Sequence, residues 1–314
     1  MIFKIENLGI IKQAEVDLDK DLILLCGHNN TGKSYLAYEI YKYLRHKEGV
    51  RAYIAPAERT AINIFSKELA LNKNKLLSGL LKSGENANKM LDSLRNQVDR
   101  YPQPIRDNLE IAEDLLFLSR NHSEFGFLAD ELEQDILKGK IIISPEGEIK
   151  YIPNNAPEQS LELFLTGSLV KSLANIVFYL RHLAQAGDYI IIDEPELNLH
   201  PDNQILMARF LGRLVNEGIK VIASTHSDYI AREINTLIML SSPNKKSAEL
   251  KERYGYSENQ LLKPEQIEAL LFRMGSKVPE KIAVSETGFE IATIDKVIAK
   301  LNQSSQDVYF NLFD

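Results

Sequence analysis

Between Phe3 and Leu25, apolar and polar positions alternate through two or three short strand signals. They end in the uninterrupted run Leu22-Ile23-Leu24-Leu25-Cys26, the pattern of a strand buried on both faces. A glycine-containing loop follows, then helical spacing from about Lys33 to His46, then a strand signal over 51–56. Strand, helix, strand is the unit from which parallel sheets are built. Residues 61–138 break this rhythm. Their Leu, Lys, Glu and Asn residues at helical spacing, with one proline-rich break at 101–104, predict three or four inserted helices. A β-hairpin is predicted from 140–143 and 148–152, turning through Ser144-Pro145-Glu146-Gly147. The α/β rhythm resumes near Leu161 and includes two more apolar strands, 189–192 and 221–224, while 241–314 mixes helix and strand signals without a motif. No fixed-period repeat occurs, which excludes a solenoid or propeller.

Composition adds exclusions. The chain has 314 residues, 44% hydrophobic and 26% charged, ordinary for a soluble globular protein with a sizeable core. No apolar run approaches the ~18 residues of a membrane span, so no membrane association is expected. The opening Met1-Ile2-Phe3-Lys4-Ile5-Glu6 lacks the pattern of an export signal. A single cysteine, Cys26, excludes a disulfide framework and suits a reducing, cytoplasmic location. The net charge of −7 excludes a uniformly basic surface, leaving only a local patch for nucleic acid. The inserted region holds such a patch: residues 61–106 carry eight Lys and Arg against four acids, and 107–135 carry nine acids against Arg120 alone. Two readings stay open, a pair of solvated helix faces or a basic docking face for nucleic acid or a partner.

The chemistry begins at Gly27-His28-Asn29-Asn30-Thr31-Gly32-Lys33-Ser34, which fits G-x-x-x-x-G-K-[ST] between a buried strand and a helix. Glycines let main-chain N–H groups turn around a phosphate, and the helix N-terminus adds positive potential. Lys33 is expected to reach the β- and γ-phosphates, Ser34 to ligate Mg²⁺, and Tyr35 to follow them in the nucleotide contact. A second element, Tyr189-Ile190-Ile191-Ile192-Asp193-Glu194, describes a buried strand that delivers two carboxylates to the same end of the sheet. Asp193 is assigned to Mg²⁺, and Glu194 to orienting and polarising the attacking water. A third element, Val221-Ile222-Ala223-Ser224-Thr225-His226, brings His226 off the end of another apolar strand as a γ-phosphate sensor. The expected catalytic set is therefore Lys33, Glu194 and His226, with ATP and Mg²⁺ as ligands.

Taken together, these residues resemble the ABC-type ATPase family, in particular its soluble branch of RecF-like, OLD-like and structural-maintenance-of-chromosomes ATPases. Asp193-Glu194-Pro195-Glu196-Leu197-Asn198-Leu199-His200-Pro201 is similar to the Walker B and D-loop of that branch, and Ser224-Thr225-His226-Ser227 to its switch histidine. The resemblance covers roughly 1–60 and 160–235. It implies an α/β fold: a P-loop ATPase head over 1–60 and 139–240 with a largely parallel central sheet and an N-terminal antiparallel β portion. A helical insertion over 61–138 and a mixed tail over 241–314 packed on the head complete that layout. Leu165-Thr166-Gly167-Ser168-Leu169 stands where the family has its signature peptide. Thr166 is a good N-cap type, and Leu169, Leu173, Ile176, Val177, Leu180 and Leu183 share one helical face behind it. The resemblance implies a head-to-tail homodimer in which Thr166, Gly167 and Ser168 meet the nucleotide of a second subunit.

The sequence departs from the family pattern at three places. Ala57-Glu58-Arg59-Thr60 replaces the usual Gln after the third strand, which leaves Glu58 as the substitute; His200 replaces the D-loop Asp; Asn30 replaces a Gly. Asn tolerates left-handed backbone angles better than most residues. After His226 no glycine-flanked Glu is followed by the Asp-x-Asp of a metal-dependent nuclease, so the effector is expected on another polypeptide, in a DNA-repair or anti-phage setting, with any nucleic-acid contact through 61–106. Two other functions compete: a nucleotide-binding subunit of a transporter, and a nucleotide-gated scaffold with little turnover.

Overall fold

Alternating positions near the N-terminus form the antiparallel pair β1 (Ile2–Leu8) and β2 (Ile11–Asp17), registered Phe3 against Val16 and Leu8 against Ile11. The apolar run becomes β3 (Leu22–Gly27), buried along its whole length. The computed structural model describes residues 1–62 and 101–313. In chain order there follow α1 (Lys33–Arg45), β4 (Ala52–Ala55), α2 (Gln103–Glu113), α3 (Leu115–Leu118), α4 (Gly126–Leu132), β5 (Gly139–Ile143), β6 (Ile149–Pro153), β7 (Leu161–Glu162) and α5 (Ser168–His182). Then come β8 (Tyr189–Asp193), α6 (Pro201–Asn216), β9 (Lys220–Thr225), α7 (Asp228–Leu240), α8 (Lys245–Tyr254), β10 (Ile267–Phe272), β11 (Glu280–Ile282) and α9 (Ala292–Phe313). The chain divides into two compact units, 1–40 with 192–314, and 41–191.

In the first unit β10, β3 and β9 run parallel in that order, Ile267–Phe272 against Leu22–Gly27 and Leu22–Cys26 against Val221–Thr225, with β11 antiparallel to β10. Parallel strands are covered on both faces, so they read as continuous apolar runs rather than alternations. Val221, Ile222 and Ala223 are fully buried like Leu22, Leu24 and Leu25. Each such Leu or Ile contributes about 1.5–3 kcal/mol by leaving water. Gly27, where β3 gives way to the loop, has φ +128°, and a Cβ there would stand 2.1 Å from the Phe272 carbonyl oxygen. No other residue type lets β10 come so close to the root of the loop.

The second unit packs α5 by Val170, Leu173, Ile176, Val177 and Leu180, all buried; Leu169 and Leu183, expected on the same face, are only half-buried. Tyr53 of β4 stacks on Tyr179 of α5 with ring centroids 4.1 Å apart. The Tyr179 hydroxyl donates to Asp188 Oδ2 at 2.8 Å, and Arg51 Nε donates to Asp188 Oδ1 at 3.0 Å. The predicted hairpin is β5 and β6, closed by Ser144 N–H to the Glu148 carbonyl at 2.8 Å; β7 adds a third antiparallel strand. Of the helical insertion expected over 61–138, residues 63–100 lie outside the described residues, as does most of the basic stretch 61–106. Residues 103–113, 115–118 and 126–132 are helical, and a π-helical turn follows at Glu133–Leu137.

Gly212 of α6 faces the carbonyl of Gln260, 2.2 Å from where a Cβ would stand, whereas Gly126 in α4 has nothing within 4 Å. Gly212→Ala should therefore destabilise the protein by about 2 kcal/mol through forced displacement of main chain. Gly126→Ala should be neutral or add up to about 1 kcal/mol through helix propensity. Urea unfolding of both variants checks this, and equal midpoints would contradict the packing described.

Candidate functional site

Gly27 ends β3, residues 28–32 form the loop, and Lys33 opens α1, so the motif takes the strand, loop and helix that phosphate binding requires. Asn30 sits at φ +59°, the left-handed conformation its amide side chain tolerates. Thr31 Oγ1 donates to the His28 carbonyl at 2.7 Å and closes the loop on itself. The Lys33 ammonium is buried and donates to the carbonyls of Gly27 at 3.0 Å and His28 at 2.6 Å. Burial pushes the Lys33 pKa down, while Glu194, Asp193 and Glu196 pull it back up. Ser34 and Tyr35 line the same open cleft of about 590 Å³, together with loop residues 29–33, Ile10 and Glu194.

The carboxylates arrive from the last residue of β8 and the one after it. Asp193 is wholly buried, and the Ser224 hydroxyl donates to its Oδ1. Glu194 has φ +53°, in a region that non-glycine residues rarely occupy, at about 1–2 kcal/mol of strain. Its N–H donates to both the carbonyl and the hydroxyl of Ser224, each at 3.1 Å, which holds the turn. Glu194 lines the cleft, whereas its neighbour Asp193 is fully enclosed.

The next turn, with Leu197 N–H to the Glu194 carbonyl at 2.9 Å, carries Glu196. Glu196 Oε1 accepts from Thr225 Oγ1 at 3.0 Å and from the His226 N–H at 2.8 Å, and it lies 3.1 Å from His226 Nδ1. Burial pushes the Glu196 pKa up, and the hydrogen bonds around it pull it back. His226 Nδ1 is also 3.8 Å from Glu194 Oε1, so the ring stands between two carboxylates with part of it open to solvent. His200, the D-loop departure, caps α6: its Nδ1 accepts from the Asp202 N–H at 3.5 Å, and Pro201 opens the helix.

The first unit thus brings together Lys33, Ser34, Asp193, Glu194 and His226 around the loop residues Gly27, His28, Asn29, Asn30, Thr31 and Gly32. Thr166, Gly167 and Ser168 lie in the second unit at the start of α5. There the capping expectation is corrected: Gly167 is the N-cap, and Thr166 Oγ1 donates to the Leu163 carbonyl at 2.6 Å instead. The 3₁₀ turn Leu163–Leu165 claims that hydroxyl before the helix starts. Glu58 also belongs to the second unit, on a turn anchored by buried Arg59, whose Nε donates to the Ser172 carbonyl at 2.8 Å and Nη1 to that of Pro56 at 3.0 Å. The sequence reading assigned no role to Ser224 or Glu196. Both stand inside the motifs, and a hydroxyl or carboxylate next to a buried strand end was the available signal.

Among solved structures, a dimeric bacterial ABC transporter cassette is similar at 11% identity and a TM-score of 0.36, covering 89% of this chain and 97% of its own. An Smc head domain from Pyrococcus furiosus, with an extended coiled coil and bound to the C-terminal domain of ScpA, is similar at 13% identity and a TM-score of 0.40, covering 97% and 100%. No curated protein matches significantly. The family profile of the AAA ATPase domain matches residues 1–75 and 50–231, a span that contains the phosphate loop, both carboxylates and His226. The chain belongs to the AAA ATPase domain family and is an ATPase.

Proposed function

We propose that this ATPase hydrolyses Mg²⁺-bound ATP as a head-to-tail homodimer and uses the cycle to switch a separately encoded effector or a nucleic-acid complex. The supporting observation is that, in one unit, buried Lys33 and Glu194 line one open cleft, and His226 Nδ1 lies 3.8 Å from Glu194 Oε1. Main-chain N–H groups of residues 27–34 and Tyr35 hold the phosphates, and Lys33 exchanges its two loop carbonyls for phosphate oxygens. Among the described residues no cluster of three or more His, Cys, Asp and Glu could hold a metal. Ser34 and Asp193, hard oxygen donors, suit Mg²⁺, which keeps waters and phosphate oxygens as its other ligands. When bound there, the ion would neutralise charge on the β- and γ-phosphates.

Glu194 takes a proton from water as the water oxygen bonds to the γ-phosphorus. The bond to the β,γ-bridging oxygen breaks, and ADP and phosphate leave. His226 contacts the terminal phosphate. Thr166, Gly167 and Ser168, at an exposed helix start, are proposed to meet the nucleotide of the second subunit. Among the described residues no helix is long and apolar enough to cross a membrane; a cytoplasmic setting is part of the proposal. DNA repair or anti-phage defence is the setting proposed, with nucleic acid approached through 61–106.

Lys33→Ala should weaken ATP binding by about 10- to 100-fold, the worth of its charge-assisted hydrogen bonds, with an unchanged melting temperature. Calorimetric titration checks this, and undiminished affinity would remove Lys33 from the site.

Glu194→Gln should lower kcat by about 10²- to 10⁴-fold and, with ATP and Mg²⁺, accumulate as a dimer by light scattering. A variant that stays monomeric with ATP bound would overturn the cross-subunit role of Thr166 and Gly167.

A further inference from the structure

Glu196 is organised around one short stretch of chain. Its carboxylate is buried, yet among the described residues both hydrogen bonds that reach it from other residues come from Thr225 and His226 and converge on Oε1, with His226 Nδ1 3.1 Å from the same oxygen. Oε2 is buried with no hydrogen-bond partner among the described residues. A carboxylate kept only to satisfy the fold would share its donors between both oxygens, because each buried acceptor left unmatched is unfavourable. Here one oxygen takes the hydroxyl at the end of β9 and the main-chain N–H of the next residue, whose ring nitrogen Nδ1 stands 3.1 Å away. Main chain and side chain of His226 are thus clamped by the same atom.

We infer that Glu196 is a positioning residue for ATP hydrolysis, its Oε1 fixing His226 through main chain and Nδ1 so that Nε2 is the nitrogen turned away from the Glu196 carboxylate. The inference rests on the ATPase reading above. The distances say what the clamp prevents. Nδ1 lies 3.1 Å from Glu196 but also 3.8 Å from Glu194 Oε1. Without Glu196, the ring's nearest carboxylate is the one assigned to water, and rotation by a fraction of an ångström would join the two. Glu196 therefore keeps the sensor and the base as separate groups. In a neutral ring, the nitrogen engaged by a carboxylate carries the proton, so the clamp also selects the tautomer.

Two readouts on the full chain test this. In ring ¹⁵N spectra at a pH where the imidazole is neutral, with His226 assigned by its loss in His226→Ala, the native protein should hold its proton on Nδ1. Glu196→Ala should shift the population toward the Nε2 tautomer; an unshifted tautomer overturns the inference whether or not the protein turns over ATP. In steady-state kinetics Glu196→Ala should lower kcat by about 100-fold with KM for ATP within about twofold, and Glu196→Gln, which keeps an acceptor oxygen, should recover to within about tenfold of native. Glu196→Ala combined with His226→Ala should be no slower than His226→Ala alone. Losses that multiply, or that track melting temperature across both Glu196 variants, would assign Glu196 to the fold only. A native protein without turnover, but with the tautomer shift, would sink the ATPase reading and leave the clamp standing.

Discussion

The Ser224 hydroxyl is the contact on which the rest of the site depends. A carboxylate at the end of a buried strand is unfavourable unless donors replace its water, and Asp193 is fully enclosed. Ser224 supplies one such donor while its oxygen and its carbonyl both accept from the Glu194 N–H. A single residue of β9 thereby settles the charge at the end of β8 and holds the strained turn that follows it. Because Ser224 lies two residues before His226, the same strand end that fixes the carboxylates also sets where the imidazole leaves the sheet. Asp193, Glu194 and His226 are placed by one register rather than by three independent loops.

A second close approach fixes the other side of the cleft. β10 supplies the Phe272 carbonyl that excludes any Cβ at Gly27. The phosphate loop therefore starts from a point pinned by a strand some 240 residues later in the chain. This explains why residues 267–272 belong to the central sheet although they carry no chemistry. Rigid elements at both ends of the loop leave its N–H groups pre-oriented, which lowers the entropy lost when a phosphate is bound.

Much of this was legible in the sequence, and the limits have physical causes. Leu22–Cys26, Tyr189–Ile192 and Val221–Ser224 read as buried strands because both faces are covered, and the motifs fell at their ends as the chemistry requires. The hairpin was legible from its turn residues. β10 was not, because Ile267-Glu268-Ala269-Leu270-Leu271-Phe272 carries a charge at its second position. Glu268 is nonetheless buried, matched by Lys281 Nζ at 2.9 Å and the Asp17 N–H at 3.3 Å, partners that no local pattern shows. The left-handed angle at Glu194 was hidden for a similar reason: it is imposed by hydrogen bonds from another strand, against the preference of the residue. Thr166 has the right side chain for a cap, but the 3₁₀ turn before it competes for the hydroxyl.

Charge explains why the clamp and the ammonium belong to one design. Lys33 feels Glu194, Asp193 and Glu196 together, so in the folded chain three acids surround one buried cation. A triphosphate adds further negative charge to this cluster, and mutual repulsion grows as water is excluded. A divalent cation relieves part of it. Burial also pushes the Glu196 pKa up, and the hydrogen bonds from His226 and Thr225 oppose that shift, so the contacts that hold the end of β9 also favour the charge on the carboxylate.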